Sequence, residues 1–258
     1  YSYPVNQMYG IHSLVPSLLI NQHKIDDVSD AKDYISRLNN VPLLFSQLQQ
    51  QLTERAEKGI IIPEFVFEHV ISASQNVITG APFNQGNDST LLADYKKKLK
   101  ALALSDGEEK LLLDEANVAL LTSVGPAYQS LISYLQNLQQ QATTDDGVWR
   151  FKDGAAFYKH RLERITTTDL TAEQIHQLGL KEVARIHDEM RAIMQQVNFD
   201  GSLAEFFVFM REDPQFYYPD TDEGRAAYLA EATRVIDDMK GRLDDLFRVK
   251  PSADMIVK

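Results

Sequence analysis

Cysteine is absent from this 258-residue sequence, and glycine and proline are scarce, at 12 and 9 residues. The absence of cysteine excludes disulfides, thiolate zinc sites and cysteine nucleophiles, although it does not identify a cellular compartment. Few glycines and prolines favour a helical protein over a turn-rich β protein. Hydrophobic residues make up 44% and charged residues 24% of the chain, which is typical of a globular protein rather than a disordered one.

Basic residues are also few, because 26 lysines and arginines stand against 37 acidic residues, for a formal net charge of −11. A chain this acidic repels phosphate backbones, so we expect no nucleic-acid partner. We interpret its one basic run as a solvated helix face rather than a binding patch. The run consists of Lys96, Lys97, Lys98 and Lys100.

Long hydrophobic runs are missing as well. A charge-free segment covers residues 116–144, but asparagine, glutamine, serine and threonine recur through it, and Gly125 and Pro126 lie in its middle. A membrane span needs about 20 mostly apolar residues, so this segment is too polar to be one. The sequence therefore predicts no transmembrane span and a buried core helix instead.

Proline and glycine divide the chain into segments that predict an all-α protein with at most a few short strands. Residues 148–151 are expected to form a short strand or an extended segment, and residues 255–257, after Pro251, the start of a strand. The chain is predicted to begin with a lead-in over residues 1–25 that is irregular or short-helical and broken at Pro4 and Pro16. Three helices follow, over residues 29–38, from Pro42 to Gly59, and between Pro63 and Gly80. After a predicted loop over residues 81–90 comes a helix on which Leu91, Leu92, Tyr95, Leu99 and Leu102 repeat.

Capping boxes mark three further helix starts. The three pairs are Ser105 with Glu108, Thr171 with Gln174, and Ser202 with Glu205. The first opens a long helix to about residue 141 that we expect to kink at Gly125-Pro126. The second opens a helix with one apolar stripe, formed by Ile175, Leu178, Val183, Ile186, Met190, Ile193 and Val197.

The domain prediction is a single helical domain over residues 1–258, with a subdomain break near residues 143–147 as the alternative. No internal repeat is visible. The chain begins at Tyr1 without an initiator methionine and ends just inside the last predicted strand, so we expect a truncated part of a longer protein.

Motifs that carry chemistry are missing. The sequence has no HExxH motif, nucleophile elbow, phosphate-binding loop or dinucleotide fingerprint. A zinc site needs three or four ligands, and each helix offers at most one His–carboxylate pair, such as His160 with Glu163 or Glu173 with His176. We therefore predict no catalytic residue, no metal ligand and no cofactor in this chain, although convergence of His160, His176 and a distant acid would be an alternative.

Aromatic residues cluster between residues 206 and 218, around Asp213-Pro214. Such residues line a substrate groove or anchor a loop onto the core, and both interpretations stay open. Tyr217 and Tyr218 are the better groove candidates, because a tyrosine hydroxyl requires water or a hydrogen-bond partner. They are the predicted substrate-groove residues.

One long stretch supports a family resemblance. It comprises Gly147-Val148-Trp149, Tyr158, Leu162, Thr166-Thr167-Thr168-Asp169-Leu170-Thr171, Glu173, Ile175-His176, Leu178-Gly179-Leu180, Glu182-Val183, Arg185-Ile186 and Glu189-Met190. This pattern resembles the bacterial domain-of-unknown-function family 885, whose members are often described as lipoproteins. Weaker similarity extends over the rest of the chain, at Gln7-Met8, Gly10, Arg37-Leu38, Pro42, Gly59, Pro63, Leu243, Leu246-Phe247 and Pro251.

The resemblance implies the helical body of a zincin-like, carboxypeptidase-like protein with a deep groove. Family members are much longer, and their HExxH-like motif lies downstream of the matched region. The full-length parent is then expected to be a zinc metallopeptidase with a peptide or small-molecule substrate. This chain alone is expected to be an inactive wall of the substrate groove. The resemblance also implies export to the periplasm or cell envelope, with a lipid anchor upstream.

A second hypothesis is a helical binding or interaction module of an envelope lipoprotein without enzymatic activity. Family membership does not choose between the two, because fold does not determine function. The feature that separates them is whether the parent reading frame continues into an intact HExxH motif.

Overall fold

The computed structural model describes residues 3–250, 252, 253 and 255–257. Helices make up 70% of it, and the described residues form no β-sheet, so the all-α prediction is confirmed. The chain divides into two compact units, residues 1–161 (the N-unit) and residues 162–258 (the C-unit). The predictions of a single domain and of a break near residues 143–147 stay predictions.

The N-unit contains the hydrophobic core. Its helices are α1 (Ile11–Asn21), α2 (Val28–Ala56), α3 (Glu64–Val77), α4 (Thr90–Lys100), α5 (Asp106–Ala119), α6 (Gly125–Gln139) and the first part of α7 (Gly154–Thr166), with a π-helical turn at Leu120–Val124. Helix α2 packs against α1, α5, α6 and the π-helical turn, while α3 packs against α1 and α6. Tyr34, Phe45 and Tyr128 are fully buried, and the rings of Phe45 and Tyr128 meet edge to face at 4.7 Å.

Helix α1 corrects the prediction that Pro16 breaks the lead-in, because Pro16 lies inside this helix. Proline has no N–H to give to the carbonyl four residues earlier, which belongs to His12. The buried hydroxyl of Tyr128 donates to that carbonyl at 2.6 Å. Lys98 of α4 satisfies the carbonyls of Leu19 and Ile20 near the other end of α1, at 2.7 and 3.0 Å. Tertiary hydrogen bonds therefore stabilise a helix that proline disfavours.

Helix α2 corrects a second prediction. The segments 29–38 and 42–59 are not separate helices, because α2 runs unbroken through Pro42 to Ala56. Buried side chains recur at helical spacing on both sides of the proline, namely Tyr34, Ile35, Leu38, Val41, Phe45, Leu48 and Leu52. Burial of this stripe outweighs the lost hydrogen bond at Pro42. The helix ends at Ala56, three residues before the predicted end at Gly59, and Gly59 closes the following turn with φ 71° and an N–H that donates to the Ala56 carbonyl.

The charge-free segment is buried helix, as predicted. Ala116, Leu120, Val124, Leu131 and Leu135 are buried in the core. The predicted kink at Gly125-Pro126 is a π-helical turn over the five residues before Gly125. No helix in the described part of the chain is long and apolar enough to cross a membrane.

The C-unit contains the end of α7 and the helices α8 (Ala172–Gln196), α9 (Leu203–Glu212) and α10 (Asp222–Arg242). The three predicted capping boxes are confirmed, one before α5 and the other two before α8 and α9. The apolar stripe of α8 is present, but most of its side chains are exposed. Met194 and Phe206 are the buried apolar side chains among the described residues of this unit.

The two predicted strands are wrong. Residues 148–150 form one 3-10 turn, closed by the Phe151 N–H donating to the Val148 carbonyl at 3.1 Å. Residues 255–257 have no regular structure, and Pro251 lies outside the described residues. Both segments are rich in residues with strand propensity, but that preference stabilises a strand only where a neighbouring strand pairs with it.

Candidate functional site

The loop between α1 and α2 buries His23 beside Arg37. The His23 ring stands edge-on to Tyr34 at 5.1 Å, and its Nε2 lies 3.0 Å from the Asp30 carbonyl oxygen. The Nη1 of Arg37 contacts Nδ1 of His23. A guanidinium can only donate, so Nδ1 accepts, and Nε2 carries the hydrogen that it donates to Asp30. This arrangement fixes the direction of the Arg37 side chain.

Arg37 lies at the rim of a groove of about 440 Å³ between α1 and α2. Apart from Arg37 and Asn40, the lining residues are aliphatic: Ile11, Leu14, Val15, Leu18, Leu19, Val41 and Leu44. Leu14 and Leu18 are 55% and 41% exposed, although apolar side chains of this size are usually buried. The groove is therefore an open aliphatic surface with one cationic group, and its volume is in the range of small-molecule sites.

Arg37 forms no ion pair with a carboxylate within the described residues. Its contact with His23 uses one of its five N–H donors. No acidic side chain lines the groove. The remaining donors of Arg37 can bind an anionic group, while the groove binds an aliphatic chain.

A second buried histidine lies on α1 near this groove. His12 is 3% exposed, and its Nδ1 has no hydrogen-bond partner among the described residues. Burial lowers the pKa of His12 to about 4, because the charged imidazolium loses its hydration. His12 is therefore a neutral core side chain near neutral pH.

The predicted groove residues Tyr217 and Tyr218 lie in the C-unit, after a 3-10 turn at Pro214–Phe216. Both are about half exposed, and their rings point to different partners. The Tyr217 hydroxyl donates to the Arg211 carbonyl, whereas Tyr218 packs edge-on against Tyr228 with a centroid distance of 5.8 Å. Their role in a substrate groove stays a prediction.

No group of three or more histidine, aspartate or glutamate side chains in the described ranges could hold a metal ion. His160 and His176, named as an alternative with a distant acid, lie on α7 and α8, and the neighbouring carboxylates Glu163 and Glu173 lie on the same two helices. The carboxylate of Glu173 accepts a hydrogen bond from Gln177 at 2.7 Å.

Neither Arg37 nor the aliphatic groove was predicted from the sequence. The sequence does contain the pattern of helix α1, because Ile11, Leu14, Val15 and Leu18 repeat at the spacing of an amphipathic helix. Treating Pro16 as a breaker concealed this helix. The role of Arg37 was not visible in the sequence, because His23 precedes it by 14 residues.

Comparison with known families adds a decisive observation. The family model described as "Bacterial protein of unknown function (DUF885)" matches residues 1–258. The chain belongs to the DUF885 family. The resemblance carried by residues 147–190 is therefore confirmed, but the description assigns no activity to DUF885 proteins. The relation to zincin-type metallopeptidases stays a prediction.

One solved structure is similar to the DUF885 chain over almost its whole length. It is the crystal structure of a protein from Colwellia psychrerythraea described as a "putative lipoprotein". The TM-score is 0.89 at 25% sequence identity, and the match covers 98% of this chain and 43% of that one. The DUF885 chain therefore spans less than half the length of this solved relative. A comparison with curated protein sequences found no match.

Proposed function

We propose that this chain is a ligand-binding helical portion of a longer envelope protein, and that the groove between α1 and α2 binds an aliphatic molecule carrying one carboxylate. The observation that carries the proposal is the unpaired Arg37 at the rim of an otherwise aliphatic groove. A carboxylate accepts two parallel hydrogen bonds from a guanidinium, and the exposed leucines lose water when an alkyl chain covers them.

The test is a calorimetric titration of the chain with decanoate below its micellar concentration. We expect saturable binding, and weaker binding of decanol, which has a comparable tail without the charge. Arg37→Met should weaken decanoate binding at least about tenfold, because a hydrogen bond to a charged group contributes roughly 1.5–3 kcal/mol. Arg37→Lys, which keeps the positive charge, should retain part of the affinity.

Lys97→Met is the matched control, because Lys97 is exposed on α4 and its replacement removes one positive charge away from the groove. A second variant, Leu18→Glu, places a negative charge in the groove and should also abolish binding. Circular dichroism checks the fold of each variant. Equal affinity for decanoate and decanol, or equal loss in Lys97→Met, would reject the site.

A second candidate is the non-catalytic wall of a metallopeptidase, with zinc held by the rest of the full-length protein. The similarity of this chain to less than half of the Colwellia protein supports it, since the remaining length is sufficient for a catalytic half. In the full-length protein to which this chain would belong, Tyr217 and Tyr218 would line the groove for a peptide or small-molecule substrate. The description of the Colwellia protein as a lipoprotein supports an envelope or periplasmic location with an upstream lipid anchor.

Metal analysis by mass spectrometry separates the two candidates. After dialysis, the full-length protein should contain one zinc per copy if it is a metallopeptidase, and the 258-residue chain should contain none. A full-length protein without zinc would favour the binding module. One tightly held zinc in the 258-residue chain would contradict both candidates and would direct mutation to His160, Glu163, Glu173 and His176.

A further inference from the structure

The C-unit exposes an apolar surface on α8, which we call the α8 stripe. It is formed by Leu178, Val183, Ile186, Ile193 and Val197, and each of these side chains is between 38% and 56% exposed. Successive members are three, four, five or seven residues apart, so they lie along one side of the helix. Single exposed apolar residues are common on protein surfaces, but a continuous stripe along a 25-residue helix marks an interaction surface.

The C-unit buries few apolar side chains of its own. Its buried apolar side chains in the described part are Met194 and Phe206, whereas the core of the N-unit includes side chains from Val5 to Leu138. A unit of nearly 100 residues normally buries well over half of the surface exposed by its unfolded chain. A covering surface on the α8 stripe would supply apolar burial that the C-unit lacks.

Charged side chains border the stripe in a manner typical of an interface rim. Arg185 pairs with Glu182 at 2.8 Å and with Glu189 at 2.6 Å. Another pair, between Arg191 and Asp188 at 2.8 Å, lies farther around the helix. The charged side chains beside the stripe thus pair with one another, whereas the apolar side chains of the stripe are exposed.

We propose that the α8 stripe is covered by an apolar helix face from the part of a longer DUF885 chain that lies outside the region equivalent to residues 1–258. The length of the solved relative supports this occupant, because 98% of this chain matches only 43% of that one. A second copy of this chain is disfavoured, since two copies with a net charge of −11 repel each other. This inference rests on the proposed longer protein and is independent of ligand binding by the groove.

The absence of cysteine permits a direct test. Val183→Cys places one thiol on the stripe, and Ala184→Cys places one on the neighbouring exposed position about 100° around the helix. The labelling rate of each thiol with a maleimide is measured in the 258-residue chain and in the full-length protein. The full-length protein without the added thiol provides the background rate.

In the 258-residue chain, both thiols should react at similar rates. In the full-length protein, labelling of the Val183→Cys variant should slow at least about tenfold, while the Ala184→Cys variant should remain reactive. Ile193→Cys repeats the test at a second stripe position if the first variant fails to fold. Decanoate binding and zinc content are measured in separate experiments. The labelling rates therefore test the α8 stripe even if the groove does not bind decanoate.

Three results would overturn the inference. The first is equal reactivity of the stripe thiol in the 258-residue chain and in the full-length protein. The second is protection in the 258-residue chain that increases with protein concentration, which would identify a second copy as the occupant. The third is a natural reading frame that provides no chain beyond the matched region.

Discussion

At the scale of the residue, His12 makes the stability of the N-unit depend on pH. Its pKa is about 4 in the folded chain, against 6.5 for a histidine exposed to water. Between pH 6.5 and pH 4, His12 therefore binds a proton more readily in the unfolded chain than in the folded one. The free energy of unfolding falls as the pH is lowered through this range. The contribution of His12 is fully present above pH 6.5.

We expect the free energy of unfolding to fall by up to about 3 kcal/mol between pH 6.5 and pH 4 because of His12, and His12→Leu should remove this component. Urea unfolding at several pH values measures the slope. His69→Gln is the control, because His69 is exposed on α3 and its replacement should leave the slope unchanged. An unchanged slope in His12→Leu would contradict the prediction.

The hydroxyl of Tyr128 is the second residue-scale feature. It donates a hydrogen bond to the His12 carbonyl, which receives none from Pro16 because proline has no N–H. Burial raises the pKa of Tyr128 above its ordinary value. Tyr128→Phe should keep the ring contact with Phe45 and lower the free energy of unfolding by roughly 1–3 kcal/mol, the cost of an unsatisfied buried acceptor.

The matched variant for Tyr128 is Tyr134→Phe. The Tyr134 hydroxyl lies 2.8 Å from the Thr53 hydroxyl at the surface, where water can replace it. Its removal should therefore cost less than about 1 kcal/mol. Chemical denaturation measures the free energy of unfolding of Tyr128→Phe and Tyr134→Phe. Equal destabilisation would show that the Tyr128 hydrogen bond contributes no more to stability than a hydrogen bond at the surface.

At the scale of the element, the capping box of α9 determines where this helix begins. Ser202 Oγ lies 3.3 Å from the Glu205 N–H, and the Glu205 carboxylate accepts from the Ser202 N–H at 2.7 Å. The hydrogen bonds that the Glu205 carboxylate accepts from the N–H and the hydroxyl of Ser202 lower the pKa of Glu205, so the cap weakens as the pH falls below the ordinary range of a glutamate.

Ser202→Ala should reduce the local stability of α9 by about 1 kcal/mol, which corresponds to about fivefold faster amide exchange in its first turns. Ser202→Asp should retain the protection, because its carboxylate can accept the same hydrogen bond. Hydrogen exchange followed by mass spectrometry is the measurement. The prediction fails if the alanine and aspartate variants exchange at the same rate.

At the scale of the whole molecule, the two units differ in how much core they contain. The core cluster lies between Val5 and Leu138, within the N-unit. Residues 1–161 should therefore fold alone and unfold cooperatively, whereas residues 162–258 should show no cooperative transition as an isolated chain.

Thermal unfolding followed by circular dichroism tests this difference on the two fragments and the 258-residue chain. Limited proteolysis adds an independent measurement, since cleavage should begin within the C-unit. A sharp unfolding transition in the isolated C-unit would show that its helices are stable without a covering surface. That result would also weaken the argument for an occupant of the α8 stripe.

Local interactions explain which features were predictable from the sequence. The capping boxes and the buried face of α4 depend on residues three or four positions apart. The bracketing of α3 depends on the backbone preferences of two single residues, Pro63 and Gly80. The groove was not predictable in this way, because it combines residues of α1 with Arg37 and Leu44 of α2. The exposure of the α8 stripe was also invisible, since a periodic pattern shows an apolar face but not what covers it.

The sequence by itself determined the all-α class, the family and most helix starts, because composition and capping act over short distances. Only the tertiary structure decided that α1 and α2 continue through Pro16 and Pro42. There, burial of apolar side chains and the hydrogen bond from Tyr128 to His12 outweigh the local cost of proline. Only the tertiary structure also placed the unpaired Arg37 beside exposed leucines, because that arrangement depends on contacts between helices rather than on sequence spacing.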